Sequence, residues 1–252
     1  MALVERRFAF LFTVLFSVFV LFGISMTVIG ASLPRILDEF GWDYGVAGIV
    51  LAAGAVGYFL STYAAGKLLG RIGPKAAAAI GTVLVALGLA FFASTPSWLA
   101  NLALNGIIGV GQGFLEIVVN WSALRIDRRG RALSLMHGAY SIGAVAGPLA
   151  VGLLMAAGLP WTIVYRGMAV LFGVIMLAVL SLPFSSLEEG EGKGGRGARL
   201  AGKGAYVLGF VALFLYVGAE MGISNWAAEF FVRAFGSSGA TGSFMVSLFW
   251  LG

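Results

Sequence analysis

Long apolar runs alternate with short polar loops along the chain, and seven of the runs are long enough to cross a bilayer. A spanning helix needs about 20 consecutive, mostly apolar residues. The seven runs lie at about 8–34, 44–65, 76–95, 99–124, 132–157, 161–183 and 204–232. The pattern therefore predicts an all-α membrane protein.

The fourth run is apolar except for a file of polar side chains at Asn101, Asn105, Gln112, Glu116 and Asn120. At about 100° per helical residue these side chains fall within an arc of about 100°, so they share one face. Glu116 then lies inside the membrane, where an ionised carboxylate is costly unless it meets water or a partner. This makes Glu116 the first candidate for a functional residue.

Glu116 and Asn120 are one helical turn apart, so their carboxylate and amide could bind the hydroxyl groups of a solute together. A low-dielectric site disfavours the charged form of an acid, so Glu116 could carry a proton when the cavity closes. The alternative is a structural hydrogen bond between helices from a protonated glutamate. Gln112 and Asn105 extend the same face, and we expect them to line the path.

Two further candidates lie in later runs. Glu220 is near the middle of the seventh run on the face of Tyr216, where it either acts in the path or forms a polar contact between two halves of the protein. His137 shares a face of the fifth run with Tyr140, and is either a gate or proton relay or a hydrogen-bonded residue between helices. Metal binding is not expected, because the chain has one histidine and no cysteine.

Asn225 and Trp226 follow Glu220 in the seventh run. They could supply an amide and a stacking platform for a sugar ring, although the tryptophan fits equally well into the aromatic belt of a membrane surface. Glu229 comes close to the end of this run, and we expect it to be solvated.

Composition supports a membrane protein and excludes several other classes. Hydrophobic residues make up 60% of the chain and charged residues 11%, which is too little charge for a water-facing surface. The absence of cysteine excludes disulfide scaffolds and cysteine nucleophiles. No catalytic or nucleotide-binding motif is present, and the glycine-rich residues 106–113 lie inside a spanning run, where we expect close helix packing. We therefore expect neither an enzyme nor a cofactor.

The net charge of +5 comes from the loops, so it does not indicate nucleic acid as a partner. Thirteen of the sixteen Lys and Arg fall on one side, and only Arg35, Arg166 and Arg233 fall toward the other. The positive-inside rule places the side that is richer in Lys and Arg, together with the N-terminus, in the cytoplasm. We therefore expect a protein of the cell inner membrane. Arg125 belongs to a charged loop cluster that we interpret as a topology determinant in contact with anionic lipid, with gating as the alternative.

Residues 185–204 are the only long polar segment, rich in glycine and in charges of both signs, and they predict a flexible cytoplasmic linker. The linker divides a six-helix bundle at 1–184 from a second part at 205–252. This second part is a weak copy of the start, because Glu39-Phe40-Gly41 aligns with Ala234-Phe235-Gly236 at preserved spacing. The residues after 238 are too few for a spanning helix, so we expect helix seven, part of helix eight and an incomplete second bundle.

Two motifs resemble those of the major facilitator superfamily. Residues 66–75 resemble its loop between helices two and three, G-x-L-x-D-R-x-G-R-K, with matches at Gly66, Leu68, Arg71, Gly73 and Lys75. Gly70 and Pro74 replace the usual Asp and Arg. Residues 143–148 resemble the G-x-x-x-G-P element of helix five, where small residues let helices approach closely. The resemblance implies the major facilitator fold and a gating role for the first motif.

Three shorter stretches resemble sugar porters of the fucose-permease type, and they lie at 114–120, 137–143 and 216–223. This resemblance implies sugar uptake coupled to protons, with Glu116 in coupling or in sugar binding. The acid that such permeases can carry on helix one is absent, because residues 8–34 contain none.

These features favour secondary active transport of a small polar solute, a sugar in particular, by proton-coupled alternating access. The expected partners are the solute, the proton and membrane lipid. Proton-driven efflux of lipophilic compounds is one alternative, favoured by the aromatic content and the Gly-Pro element. The other is an incomplete bundle that binds or self-associates without transport.

Overall fold

The computed structural model of the protein describes residues 5–127, 130–188 and 203–252. This part of the chain is helical and has no strand. After a 3-10 turn at Arg6–Phe8, the helices are α1 (Ala9–Phe40), α2 (Tyr44–Phe91), α3 (Trp98–Ile126), α4 (Arg131–Ala156), α5 (Thr162–Leu180), α6 (Ser185–Glu188), α7 (Lys203–Phe235) and α8 (Gly239–Leu251). The predicted linker lies mostly outside the described residues, as do Arg128 and Arg129.

The long helix α2 contains both the second and the third predicted spans. Its backbone leaves the helical conformation at Gly73, with φ 77° and ψ 160°, and Pro74 begins the returning part. Glycine adopts this positive φ without a steric penalty, and proline suits the first turn of a helix. Six described helices are long and apolar enough to span a membrane. Since α2 supplies two spans, all seven predicted runs are confirmed as helices.

Glycine-mediated contacts hold the first helices together in two pairs, α1 with α4 and α2 with α3. A Cβ atom at Gly143 of α4 would overlap the carbonyl oxygen of Val20 in α1, and one at Gly109 of α3 would overlap that of Gly54 in α2. Only glycine permits so close an approach of two backbones. The predicted packing role of both glycine-rich stretches is confirmed.

One end of the bundle is fastened by polar contacts of aromatic and basic side chains. Trp42 Nε1 donates to the Pro96 carbonyl at 2.9 Å, and Trp161 Nε1 donates to Glu39 at 3.0 Å. Arg166 of α5 donates to two carbonyl oxygens at the end of α2. We call this the outer end, because the charge pattern predicts that it faces away from the cytoplasm, and the opposite end the inner end.

The helices α7 and α8 pack against each other and against α1 and α4. Two serines of α8 make hydrogen bonds across this interface, Ser243 to the Ala31 carbonyl at 2.8 Å and Ser247 to the Val145 carbonyl at 2.9 Å. The inner half of α7 is exposed by contrast, with Leu208 at 70%. The interface therefore lies in the outer half of the bundle.

Candidate functional site

Glu116 and Asn120 of α3 form a direct hydrogen bond, in which Asn120 Nδ2 donates to Glu116 Oε1 at 2.6 Å. Both side chains are half-buried. At about 1.5 Å per residue, Glu116 lies about 15 Å along the helix from its inner end at Ile126, and therefore inside the bilayer. The Asn120 Oδ1 atom is buried and has no hydrogen-bond partner, so this pair keeps a free acceptor.

Aromatic residues of three other helices surround this pair. Tyr58 of α2 and Tyr140 of α4 both lie within electrostatic range of Glu116. The Phe22 ring of α1 lies 5.7 Å from the Tyr140 ring and 6.4 Å from the Tyr58 ring. The carboxylate therefore faces a largely aromatic wall, the combination of apolar lining and few polar groups that ligand sites use.

His137 lies one turn from Tyr140 toward the inner end of α4. Its ring meets the Phe19 ring edge-on at 6.0 Å, and it lies within electrostatic range of Glu116. The side chain is exposed. It is thus placed between Glu116 and the inner end of the bundle.

The helices α7 and α8 contribute the opposite wall. Tyr216 donates to Glu220 Oε1 at 2.8 Å, and Glu220 lies within electrostatic range of Tyr140. The Trp250 ring of α8 meets the Tyr140 ring at 5.6 Å and 75°. The structure therefore brings together a set that we call the central site, composed of Tyr58, Glu116, Asn120, His137, Tyr140, Glu220 and Trp250.

The other members of the polar file lie outside the central site. Gln112 is 4% exposed and donates to Ser25 Oγ of α1 at 2.9 Å. Asn105 donates to the Val50 carbonyl at 2.8 Å and fills the space beside Gly54. Asn101 binds the loop before α3, at the backbone of Ala93 among other groups. Asn105 therefore packs α3 against α2, and the expectation that it lines a path is corrected.

Asn225 and Trp226 lie nearer the outer end than the central site. The Trp226 ring meets the Tyr44 ring at 5.8 Å and packs on the apolar cluster of Leu33 and Leu37. The backbone of Asn225 lies directly against Gly30 of α1. This location favours the packing alternative for Trp226 over the sugar platform, and it separates both residues from Glu116.

The gating candidates lie at the inner end. Gly66, Arg71 and Lys75 are exposed around the Gly73 turn. Arg125, at the inner end of α3, places its guanidinium over the Trp121 ring at 3.9 Å from the ring centre. This cation–π contact is typical of a residue at the membrane interface.

The expectation that Glu229 is solvated is wrong, because its side chain is only 4% exposed. Glu229 Oε1 accepts from Tyr44 at 3.0 Å and from Arg233 Nε at 2.8 Å. Arg233 Nη2 also donates to Asp38 at 2.5 Å. We call these four residues the outer cluster. The i, i+4 spacing of Glu229 and Arg233 was the one sequence signal of this cluster.

Within the described ranges, no group of three or more His, Asp and Glu side chains is arranged to hold a metal ion. The central site instead offers carboxylates, an amide, phenols and an indole between two groups of membrane-spanning helices. A polar site at this depth between two groups of helices is the arrangement of a secondary transporter.

Comparison with known proteins gives the family. The chain belongs to the Major Facilitator Superfamily, whose model matches residues 15–252. The relatives are transporters and not enzymes.

A glucose/galactose transporter of Brucella abortus is 23% identical over 244 residues, which are 90% of this chain and 59% of that protein. The crystal structure of the nucleoside transporter NupG matches with a TM-score of 0.71 at 19% identity, over 98% of this chain and 65% of that one. A D-xylose-proton symporter matches with a TM-score of 0.68 at 13% identity, over 98% and 66%. The chain thus spans about three fifths to two thirds of the length of these proteins, and the two structures share its fold.

Proposed function

We propose that the chain takes part in proton-coupled transport of a small polar solute, a sugar in particular, by alternating access. The observation that carries this proposal is the hydrogen-bonded pair of Glu116 and Asn120 inside the bilayer. The glucose/galactose transporter among its relatives supports a sugar as the solute.

The central site offers what a sugar needs from a binding site. The buried Asn120 Oδ1 and the second carboxylate oxygen of Glu116 can each accept a hydrogen bond from a hydroxyl group. Trp250 and Tyr140 meet edge to face and offer apolar ring surface to the C–H groups of the sugar. The sugar would thus lie between α3 and α4 on one side and α8 on the other.

Glu116 is the proposed proton carrier, because an acid within the bilayer is costly when it is charged and unpaired. Asn120 donates to it in either protonation state. His137, exposed toward the inner end and within electrostatic range, is placed to exchange the proton with water on that side. Release of the solute and of the proton would then occur at the same end.

The alternating movement would be a rocking of α7 and α8 against the first six spans, with 1–184 as one bundle and 205–252 as the start of the second. Their contact lies in the outer half, and the inner half of α7 is exposed. This favours a form that is closed at the outer end.

We further propose a multi-pass protein of the cell inner membrane with a cytoplasmic N-terminus. Thirteen of the sixteen Lys and Arg fall in the loops at one end, against Arg35, Arg166 and Arg233 at the other, and this excess supports the orientation. The exposed apolar face of α7 would be covered by lipid, by further helices or by a second copy of the chain, which keeps self-association among the proposals.

The test uses membrane vesicles from cells that produce the full chain, with glucose or galactose added in the absence of an imposed ion gradient. External pH should rise as the solute enters with protons. Glu116→Gln should abolish this alkalinisation, yet retain exchange of labelled for unlabelled solute, because glutamine imitates the protonated acid. Asn120→Ala should lose both activities, because it removes a binding group.

The matched control is Glu39→Gln, since Glu39 is an α1 carboxylate that binds Trp161 at the outer end. It should keep both activities. Unchanged alkalinisation in Glu116→Gln contradicts the role of Glu116. Competition by lipophilic cations, but not by sugars, contradicts the proposed solute and favours the efflux alternative.

A further inference from the structure

The outer cluster joins three helices through two contacts that cross between the first six spans and α7. Arg233 of α7 binds Asp38 at the end of α1 at 2.5 Å, and Tyr44 at the start of α2 donates to Glu229 of α7 at 3.0 Å. The first pair is separated by 195 positions in the sequence and the second by 185, so these contacts join distant parts of the chain. These contacts bridge α1, α2 and α7 at the outer end of the bundle.

The charges of the outer cluster are arranged for repeated opening. Glu229 and Arg233 pair within α7, and this pair would stay intact if α7 moved away from α1 and α2. Asp38 and Arg233 are each about half exposed, with side-chain values of 52% and 47%, so water can replace their contact. Movement of α7 away from α1 and α2 would therefore leave no charged group buried without a partner, which is the condition for a reversible contact.

Below the outer cluster, the interface is tight and carries no charge. Ser224, about 14 Å from Arg233 along α7, is 0% exposed, and its backbone carbonyl lies against Gly30 of α1. It also accepts the Trp250 hydrogen bond, so it marks the outer boundary of the central site. A solute from the outer side would have to pass the outer cluster before reaching this point.

We infer that the outer cluster is an outer gate, in which Asp38 and Tyr44 hold α7 through Arg233 and Glu229 and keep the solute path closed at this end. The inference goes beyond the proposed function, because it requires neither a particular solute nor a proton. It assigns the closed state to four side chains, and each can be changed separately.

The test measures access to Ser224 from the outer side. The chain has no cysteine, so Ser224→Cys provides a single thiol beneath the gate. Intact cells that produce the full chain are treated with a membrane-impermeant maleimide, and the rate of labelling is measured. Inverted vesicles, treated in the same way, report access from the inner side and check the orientation.

Asp38→Asn and Arg233→Gln should each raise the labelling rate from the outer side by about twofold to fivefold, the change that follows from losing a half-exposed ion pair. Asp38→Glu keeps the carboxylate and should leave the rate near that of the parent. Tyr44→Phe removes one hydroxyl and no charge, so it should have a smaller effect in the same direction. The matched control is Arg7→Gln, which breaks the exposed Arg7–Glu5 ion pair at the inner end and should leave the rate unchanged.

Labelling at the parent rate in both single variants overturns the inference. Labelling of Asp38→Glu as fast as that of Asp38→Asn also overturns it, since the change in rate would then not come from loss of the charge. Because the assay contains no solute, its failure is distinct from failure of the proposed transport, which the alkalinisation measurement tests.

Discussion

Trp250 donates its indole N–H to the Ser224 hydroxyl at 2.8 Å, and this bond ties α8 to α7 at the level of the central site. It also fixes the indole plane, which meets the Tyr140 ring edge to face at 75°. A ring held at both its polar atom and its edge is preorganised for stacking, since little freedom remains to be lost when a ligand binds.

We therefore expect Trp250→Ala to raise the solute concentration for half-maximal uptake by about fivefold to tenfold, the equivalent of about 1 kcal/mol for an aromatic contact. Trp250→Phe should lose less, because it keeps a ring but not the hydrogen bond. Concentration-dependent uptake in vesicles measures both. Leu248→Ala, at an exposed position of the same helix, is the control and should leave the value unchanged.

The hydrogen bond between Gln112 and Ser25 allows a test of whether Gln112 stabilises the fold or lines the solute path. The structure predicts that Gln112→Leu destabilises the protein by about 1 kcal/mol through loss of one buried hydrogen bond. Ser25→Ala should cost somewhat more, because Ser25 Oγ also donates to the Phe22 carbonyl at 2.7 Å. The double variant should cost less than the sum, because both changes remove the same bond. Thermal unfolding in detergent measures the effect. An altered solute affinity in Gln112→Leu would instead place this residue in the path.

Gly143→Val should disrupt the contact of α4 with α1, because the added side chain would occupy the space of the Val20 carbonyl. Overpacking of this kind costs about 1–3 kcal/mol, so we expect a lower melting temperature and less folded protein in the membrane. Gly138→Val in the same helix is the control, since nothing lies within 4 Å of a Cβ atom there. Equal stability of the two variants would contradict the packing role.

Arg166→Lys should destabilise the outer end, because a lysine cannot keep the forked contact with the Leu89 and Phe92 carbonyls. These carbonyls end α2 and lack partners within the helix, and the loss of a charged donor costs about 1–3 kcal/mol. The melting temperature measures the change. The exposed Arg131 provides the control, and Arg131→Lys should have the same melting temperature as the parent protein.

The helices could be predicted from the sequence because their signals are local. A run of about 20 apolar residues must span a bilayer as a helix, whatever surrounds it. The close packing at Gly109 and Gly143 was predictable for the same reason, since rows of small residues have few other uses in a membrane.

The partners of the polar file could not be predicted, because a helix face about 100° wide meets more than one neighbour. Along this one face, Asn105 meets α2, Gln112 meets α1, and only the inner part reaches the central site. Periodicity places residues on a face, but helix crossing decides which neighbour each residue meets at its depth.

The burial of Glu229 and the placement of Trp250 depend on contacts distant in sequence. Glu229 is covered by Tyr44, 185 positions away. The sequence pointed to Trp226 as an aromatic platform and gave no sign of Trp250, which the packing of α8 against α4 brings to Tyr140. Such choices require the relative positions of helices, which no local pattern contains.

The turn at Gly73 has a consequence for biogenesis. Because one residue joins the two arms of α2, we expect both arms to enter the bilayer together, as a hairpin whose two ends lie on the same side. An epitope or a flexible loop inserted at this residue would separate the arms and allow the second to be inserted alone. The early topology of the protein therefore depends on keeping this connection short.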